Sequence, residues 1–210
     1  DPTCGSGHFL LGAFDRLFER WQAEAPGIGA ADQVRRALDA IFGADINPYA
    51  VAIARFRLML AATVAAGIER LDAPEAPKWP LHLCVANSLL VHDKGRGRKQ
   101  HVIEQEGFQL AKDEQYRIFA LENGDEIERM FSRRFGAVVG NPPYVTEKDA
   151  VIRGEIRNRY ESAAGKYALA APFTERFFQL ARDEGRVGMI NSNAWTKREF
   201  GKARFVLVTD

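Results

Sequence analysis

Four consecutive residues, Asn141, Pro142, Pro143 and Tyr144, form the pattern with the most direct chemical meaning in this sequence. Two prolines fix the backbone and remove two N–H donors, so the side-chain oxygen of Asn141 and the carbonyl of Pro142 can converge as acceptors. A planar amino group that gives both hydrogens to such a pair is drawn toward tetrahedral geometry, which frees its lone pair for attack. Tyr144 adds a flat face on which a planar substrate can stack. The alternative is a proline-rich turn with a packed tyrosine, which the preceding apolar strand disfavours.

Two further segments carry residues suited to ligand binding. The small-residue loop Asp1–Gly7 contains Gly5 and Gly7, which let the backbone turn tightly and approach a ligand, and it leads into a helix that presents free N–H groups. A plain strand-to-helix turn is the alternative. Asp45 ends the next strand, where an acid can accept two hydrogen bonds from ribose hydroxyls. Asp45 lies further downstream than the usual spacing of roughly 20 residues, which implies an intervening helix. The alternative is that it caps the helix beginning near Pro48.

These residues carry a resemblance to a known family. Residues Asp1–Leu10 resemble the Asp-Pro-x-Cys-Gly-Ser-Gly-x-Phe pattern, and Asn141–Tyr144 the Asn-Pro-Pro-Tyr pattern, of amino-directed, S-adenosylmethionine-dependent DNA adenine methyltransferases. The stretches Gly165–Arg182 and Gly185–Trp195 are similar to later motifs of that family. Among its members, the chain looks most like the large methyltransferases of bacterial phage-exclusion systems (PglX-like) and the fused, type IIG-like restriction–modification enzymes.

The resemblance implies a binding site for S-adenosylmethionine. Its methionine part would lie among the opening loop residues, its ribose on Asp45 and its adenine ring against Ile46, with Phe173 packed on the cofactor. Asn87 stands where the family commonly has an Asp that faces the adenine; its oxygen can still accept from the exocyclic amine but carries no charge. The implied cofactor residues are Asp1, Pro2, Cys4, Gly5, Gly7, Asp45, Ile46, Asn87 and Phe173.

The resemblance also implies an activity, which is methyl transfer to the exocyclic N6 amine of an adenine flipped out of double-stranded DNA, in phage defence or restriction–modification. The amine attacks the sulfonium methyl directly, so positioning and dipoles carry catalysis and no nucleophilic cysteine is needed. Other defence-system subunits are candidate partners. The alternatives are methyl transfer to a protein glutamine amide or an RNA base, and a non-catalytic module that binds cofactor or DNA within a defence complex.

Composition is that of a soluble globular protein. The chain has 210 residues, of which 46% are hydrophobic and 27% are charged. Its net charge is only +1, so the overall charge does not indicate a nucleic-acid partner. We expect no membrane span, because no uninterrupted apolar run of about 18 residues occurs. Two cysteines, Cys4 and Cys84, suggest the reducing cytoplasm rather than a disulfide framework. The four histidines lack metal-ligand spacing, so no metal is expected. The run Lys94–Lys99 suits a solvated loop better than phosphate contacts.

The elements that must position these residues follow from apolar periodicity. The pattern predicts helices over 10–21, 32–42, 50–66, 127–135 and 168–182, and short apolar strands ending near Asp45 and over 81–85, 137–139 and 187–190. Helices that alternate with fully apolar strands indicate an α/β fold with a mostly parallel sheet covered on both faces, and ligands at its carboxyl ends. With the resemblance, this becomes a Rossmann-like class I methyltransferase fold, expected to be incomplete because the strand that should precede Asp1 is missing.

We therefore expect a partial methyltransferase catalytic domain over residues 1–210. Residues 1–90 would form its cofactor-binding half, 91–135 a loop or insertion, and 136–210 its catalytic half. The stretch between the halves is short for a target-recognition domain. Sequence recognition is accordingly expected to lie outside this chain.

Overall fold

The computed structural model describes residues 1–70, 78–91 and 124–191, in which helices and strands alternate as predicted. The run Lys94–Lys99, together with Trp195 and Lys197, lies outside the described residues. In chain order the elements are α1 (His8–Glu24), α2 (Ala30–Asp39), β1 (Phe42–Asp45), α3 (Pro48–Ala65), β2 (His82–Val85), α4 (Gly124–Phe131), β3 (Phe135–Gly140), α5 (Ala150–Arg159), a 3-10 turn (Glu161–Ala163), α6 (Ala170–Leu180) and β4 (Ala181–Met189).

All the strand pairing among these elements is parallel. Strand β1 pairs with β2, with Asp45 opposite Val85 at the carboxyl end, and β3 pairs with β4, with Gly140 opposite Met189. The predicted α/β class with parallel strands is confirmed. The described strands nevertheless form two separate two-stranded sheets, so the expected single sheet is not seen as one continuous ladder.

The opening segment of the chain lies between the two strand pairs. The Asp1 carbonyl accepts from the Ala44 amide at 2.9 Å, and the Cys4 amide donates to the Ala44 carbonyl at 2.9 Å, so this segment runs along β1. On its other side, Gly140 at the end of β3 approaches Asp1 and Thr3 so closely that a Cβ on Gly140 would lie 2.6 Å from Asp1 Oδ1. The candidate cofactor loop is thus held between the carboxyl ends of β1 and β3.

Two apolar clusters support these ends. One joins α1, α2 and α3 to β2, through fully buried residues that include Phe14, Leu38 and Leu58. The other joins α4, α5 and α6 to β3, with Phe177 at 0% exposure. Helix α3 is the one described helix whose length and composition would also suit a membrane span. Its buried residues Val51, Ala54, Leu58 and Ala62 belong to the first cluster.

The structure corrects three predicted boundaries. Helix α2 ends at Asp39 rather than Phe42, and α4 ends at Phe131 rather than Phe135. Phe42 and Phe135 instead begin strands, and their rings pack with centroids 5.2 Å apart. In the sequence, each of these aromatic residues lies at a spacing that continues the apolar face of the preceding helix. In the structure, each instead pairs with a neighbouring strand. Helix α6 ends at Leu180, because Ala181 already pairs with Phe135 at the start of β4.

Strand β4 is longer than the predicted 187–190, and α5 was not predicted. Between Ala181 and Arg186 the register with β3 shifts, and Glu184 adopts a positive φ of 60°. This irregular part of β4 consists largely of charged residues, so the apolar pattern of the sequence does not predict it as a strand. Helix α5 has a weak apolar face, and it begins where the Asp149 side chain accepts from the amides of Val151 and Ile152.

Replacement of Gly140 by Ala tests the close packing of the cofactor loop on β3. The new Cβ would lie 2.7 Å from Thr3 Oγ1 and 2.9 Å from Phe177 Cζ, so we expect the free energy of unfolding to fall by about 1–3 kcal/mol. Denaturant unfolding measures it. The matched control is Gly154→Ala within α5, where a Cβ meets no atom within 4 Å and should stabilise the helix by up to ~1 kcal/mol. Equal stabilities of the two variants would contradict the close approach.

Candidate active site

The carboxyl ends of β1, β2 and β3 border one open cavity of ≈ 340 Å³, which is at the small end of the range for small-molecule sites. Residues predicted from the sequence form much of its wall: Pro2, Gly5, Asp45, Ile46, Asn87, Asn141, Pro143 and Phe173. The remaining lining residues were not singled out by the sequence: Thr3, Ala86, Ser88, Leu89, Glu147, Ile156 and Leu169. The structure therefore brings most of the two predicted sets of residues to one place.

The two glycines of the opening loop serve different purposes. Gly5 has a φ of 51° and lines the cavity, and a Cβ built on it would meet no protein atom within 4 Å. Its missing side chain therefore leaves open space beside the cavity wall. Gly7 has a φ of 86° and lies outside the lining, where a Cβ would come within 2.9 Å of Ala54 Cβ on α3. Gly7 thus allows the loop to pack against α3.

Asp45 organises the loop around the cavity. One of its carboxylate oxygens accepts from the Gly5 amide at 2.8 Å, and the other accepts from the Asn47 amide at 2.9 Å. The alternative that Asp45 caps α3 is wrong, because the Asn47 side chain performs that role. A carboxylate has about four acceptor positions, so two remain for a ligand.

Asp1 and Cys4 lie behind the cavity wall rather than in its lining. Asp1 Oδ1 accepts from the amide and hydroxyl of Thr3, whereas Asp1 Oδ2 is buried and has no hydrogen-bond partner among the described residues. Burial raises the pKa of the Cys4 thiol to about 12, and the nearby Asp45 carboxylate adds to the effect. Cys4 is therefore a neutral thiol at physiological pH, and it is not a nucleophile.

The Asn141–Tyr144 corner lies at the opposite wall. Pro142 is fully buried, whereas Asn141 and Pro143 are exposed at the cavity. The Tyr144 hydroxyl lies 2.8 Å from Asn141 Oδ1 and 2.6 Å from the Ile190 carbonyl oxygen, and can donate to either. The side chain of Tyr144 is 43% exposed and lies beside the lining rather than in it. The alternative of a packed tyrosine in a plain turn is therefore not supported.

Asn87 begins a tightly held loop after β2. Its Oδ1 accepts from the Leu89 amide at 3.2 Å, so its oxygen already has one partner. The Ser88 hydroxyl donates to the Pro2 carbonyl at 2.7 Å, which ties this loop to the opening segment. Both contacts form one wall of the cavity.

Side chains from α5, α6 and the residue between α5 and the 3-10 turn also bind the loop after β2. Arg176, only 4% exposed, donates to the Ser88 carbonyl at 3.0 Å and to the Val91 carbonyl at 3.3 Å. The Tyr160 hydroxyl donates to the Leu89 carbonyl at 2.8 Å. Arg159 donates in the same way to the Leu90 carbonyl. The sequence analysis missed these residues, although an arginine at a core-facing position of α6, beside Phe177, is a readable signal.

Comparison with known proteins shows the family of this chain. Residues 39–207 match the Eco57I restriction-modification methylase family. The chain belongs to this family. An adenine-specific methyltransferase, PglX, from Streptomyces coelicolor is 44% identical over 210 residues, which cover 96% of this chain and 17% of that protein.

Two type II methyltransferases are also similar to this Eco57I-family chain. M.BstVI of Geobacillus stearothermophilus is 33% identical over 134 residues, covering 58% of this chain and 23% of that protein. M.PaeR7I of Pseudomonas aeruginosa is 25% identical over 203 residues, covering 96% of this chain and 28% of that protein. The chain thus spans less than a third of the length of each of these relatives.

The Eco57I-family site has no metal cluster within the part of the chain that the structure describes, since no three His, Cys, Asp or Glu side chains there lie close enough. Its polar groups are instead carboxylates, amides and backbone atoms around the cavity. These can hold hydroxyl, amine and ammonium donors. The expectation of metal-free chemistry stays a prediction.

Thiol labelling tests the neutral state of Cys4. In a Cys84→Ala variant, which leaves Cys4 as the single cysteine, we expect alkylation to be much slower in the native protein than in denaturant. The rate should rise about tenfold per pH unit between pH 8 and 10 without a plateau, because the pKa of about 12 keeps the thiolate scarce. A plateau near pH 9 in the native protein would contradict this burial.

Replacement of Arg176 by Met tests the support of the loop after β2. The variant keeps the buried stem but leaves the Ser88 and Val91 carbonyls without this donor, so we expect the free energy of unfolding to fall by about 2–4 kcal/mol. The control is Arg35→Met, which removes a solvent-exposed ion pair with Asp32 and should leave the free energy of unfolding almost unchanged. Chemical denaturation measures both, and similar losses would argue against the supporting role.

Proposed function

We propose that this Eco57I-family chain transfers a methyl group from S-adenosylmethionine to the exocyclic N6 amine of an adenine flipped out of double-stranded DNA. The observation that carries the proposal is the position of Asn141, whose side chain lies at the same cavity as Gly5 and Asp45. An acceptor for an amine and a loop suited to a nucleoside therefore face one space. The names of the adenine-specific and type II relatives support the substrate class.

The residues present fit the proposed cofactor. Asp45 keeps acceptor positions for the ribose hydroxyls, and the open space at Gly5 admits close approach to the backbone. Asp1 Oδ2 lies in the same loop, buried behind the cavity wall, and has no hydrogen-bond partner among the described residues, so it keeps an acceptor for a donor that enters from the cavity side. Ile46 and Phe173 offer apolar walls for the adenine and the methionine part. When bound, the cofactor supplies an electrophilic methyl group on a sulfonium.

Asn87 contributes differently from the family's usual Asp. Because the Leu89 amide donates to its oxygen, the side-chain oxygen has one lone pair left for an exocyclic amine. The proposed adenine contact is therefore a single neutral hydrogen bond. This is weaker than a charge-assisted bond to a carboxylate.

Asn141 and the Pro142 carbonyl are the proposed acceptors for the two hydrogens of the target amine. They hold the nitrogen in a fixed direction and draw electron density toward it, so the lone pair is available on the side facing the methyl group. Pro142 is fully buried, which keeps the corner rigid. The ring of Tyr144, 43% exposed, is available to stack on the flipped base. No covalent enzyme intermediate is required.

The proposal includes a Rossmann-like class I methyltransferase sheet with helices on both faces, of which the two strand pairs are the halves. Supporting this, the Asp1–Cys4 segment hydrogen-bonds to β1 along one side and approaches Gly140 of β3 on the other. The proposal keeps a partial catalytic domain over 1–210, with a cofactor-binding half over 1–90, a loop or insertion over 91–135 and a catalytic half over 136–210. Target recognition is assigned to a region outside this chain.

The proposed setting is the bacterial cytoplasm, within phage defence or restriction–modification, with other defence subunits as candidate partners. Support comes from the restriction-modification family and from two buried cysteines, Cys4 and Cys84, that are not joined in a disulfide. Double-stranded DNA is the proposed macromolecular substrate.

Two substitutions separate cofactor binding from methyl transfer in the natural protein. Asp45→Asn removes the charge that holds Gly5 and the proposed ribose, so its affinity for S-adenosylmethionine should fall about 10–100-fold by calorimetry. Asn141→Ala should keep cofactor affinity within about twofold while transfer of tritiated methyl to unmethylated DNA falls at least about 100-fold. The controls are Asp15→Asn and Asn158→Ala, two exposed helical positions outside the cavity.

Parallel assays on RNA and on release-factor protein test the alternative substrates. Methylation of either, with DNA unmodified, would overturn the DNA assignment. Cofactor binding without transfer to any of the three substrates would favour a non-catalytic binding module.

A further inference from the structure

The hydroxyl of Tyr144 stands between two acceptors although it has a single hydrogen to give. Asn141 Oδ1 lies 2.8 Å away and the Ile190 carbonyl oxygen 2.6 Å away. The Ile190 amide in turn donates to the Gly140 carbonyl at 3.1 Å, so this acceptor is fixed to the end of β3. The hydroxyl therefore connects the Asn-Pro-Pro-Tyr corner to the neighbouring strand.

A donor at this place decides how the Asn141 amide is turned. The side-chain amide has an oxygen and an NH₂ group of nearly the same size, and at an exposed position both orientations are sterically open. A hydroxyl that donates to Ile190 can accept from the Asn141 NH₂ group, whereas a hydroxyl that donates to Asn141 needs the amide oxygen on its side. The structure has Oδ1 on that side, 2.8 Å from the hydroxyl. In this arrangement the Tyr144 hydroxyl holds the amide with its oxygen at the corner.

We infer that the Tyr144 hydroxyl is a positioning group for methyl transfer, distinct from the stacking role of its ring. Before the target arrives, the hydroxyl fixes the orientation of the Asn141 oxygen. When an amine hydrogen reaches that oxygen, it binds the lone pair that remains, and the hydroxyl keeps its hydrogen bond to Asn141. No covalent bond breaks, and the ring keeps its place. This inference rests on the proposed function of the same corner.

The opposite role is a latch, in which the hydroxyl occupies the oxygen and blocks the amine. The two roles differ in the sign of the effect when the hydroxyl is removed. A positioning hydroxyl lowers the rate constant when it is lost, whereas a latch raises it. The lone pair that remains on the Asn141 oxygen favours positioning, because the amine can bind it while the hydroxyl keeps its hydrogen bond.

Tyr144→Phe in the natural protein tests the inference, because the variant keeps the ring and loses only the hydroxyl. With unmethylated genomic DNA, we expect kcat to fall about tenfold while KM for DNA and calorimetric affinity for S-adenosylmethionine stay within about twofold. The matched control is Tyr49→Phe, another exposed tyrosine that lies outside the cavity lining, and it should behave as wild type. A wild-type or higher kcat for Tyr144→Phe overturns the inference.

A double-mutant cycle with Asn141→Asp separates orientation from a general structural effect. A carboxylate has two equivalent oxygens and needs no selection, so loss of the hydroxyl should cost less than about twofold in the Asp background. An equal loss in both backgrounds would overturn the positioning role. Absence of methyl transfer to DNA by the wild type would instead overturn the proposed function, which the wild-type assay reports separately.

Discussion

The site depends on keeping two separately paired sets of parallel strands side by side, and buried hydrogen bonds supply that constraint. Arg176 and Tyr160, which lie in the part of the chain that packs on β3, donate to carbonyls of the loop after β2. Ser88 of that loop donates in turn to Pro2 in the opening segment. Each of these carbonyls would otherwise be buried without a partner, which costs about 1–3 kcal/mol per group. Movement of one strand pair relative to the other would break several of these hydrogen bonds together, so it is unfavourable.

The polar side chains at the cavity wall are also held by hydrogen bonds that use only part of their capacity. Asp45 uses one acceptor position on Gly5 and one on Asn47, and thereby shapes the loop without exhausting its capacity. Asn141 is in a similar state, with one partner in Tyr144 and one lone pair remaining. Side chains that are held yet still able to accept are what a preorganised polar site requires. The neutral thiol of Cys4 fits this picture, since the wall contributes acceptors rather than a nucleophile.

Much of this arrangement could be predicted from local sequence, and the reasons for the misses are physical. Helix α3 is predicted from signals within its own segment, which are the Asn47-Pro48 start and the long apolar run that follows. The same start marks the end of the preceding strand. Phe42 and Phe135 were assigned to helices because apolar spacing near an element end is compatible with either state until pairing decides. The bulged part of β4 is charged and exposed, and only its ladder with β3 makes it a strand.

The candidate site divides along the same line. Gly5, Asp45 and Asn141 stand within recognisable motifs, and the structure brings them to one cavity. Arg176 and Tyr160 donate to backbone carbonyls far away in sequence, and Ile190 accepts from Tyr144 through its own carbonyl. No local sequence pattern encodes such contacts. A sequence motif shows which groups face the ligand. The residues that fix the motif in place are brought to it by tertiary packing. The geometry of the Asn141 corner therefore depends on Ile190, directly after β4, as much as on its own four residues.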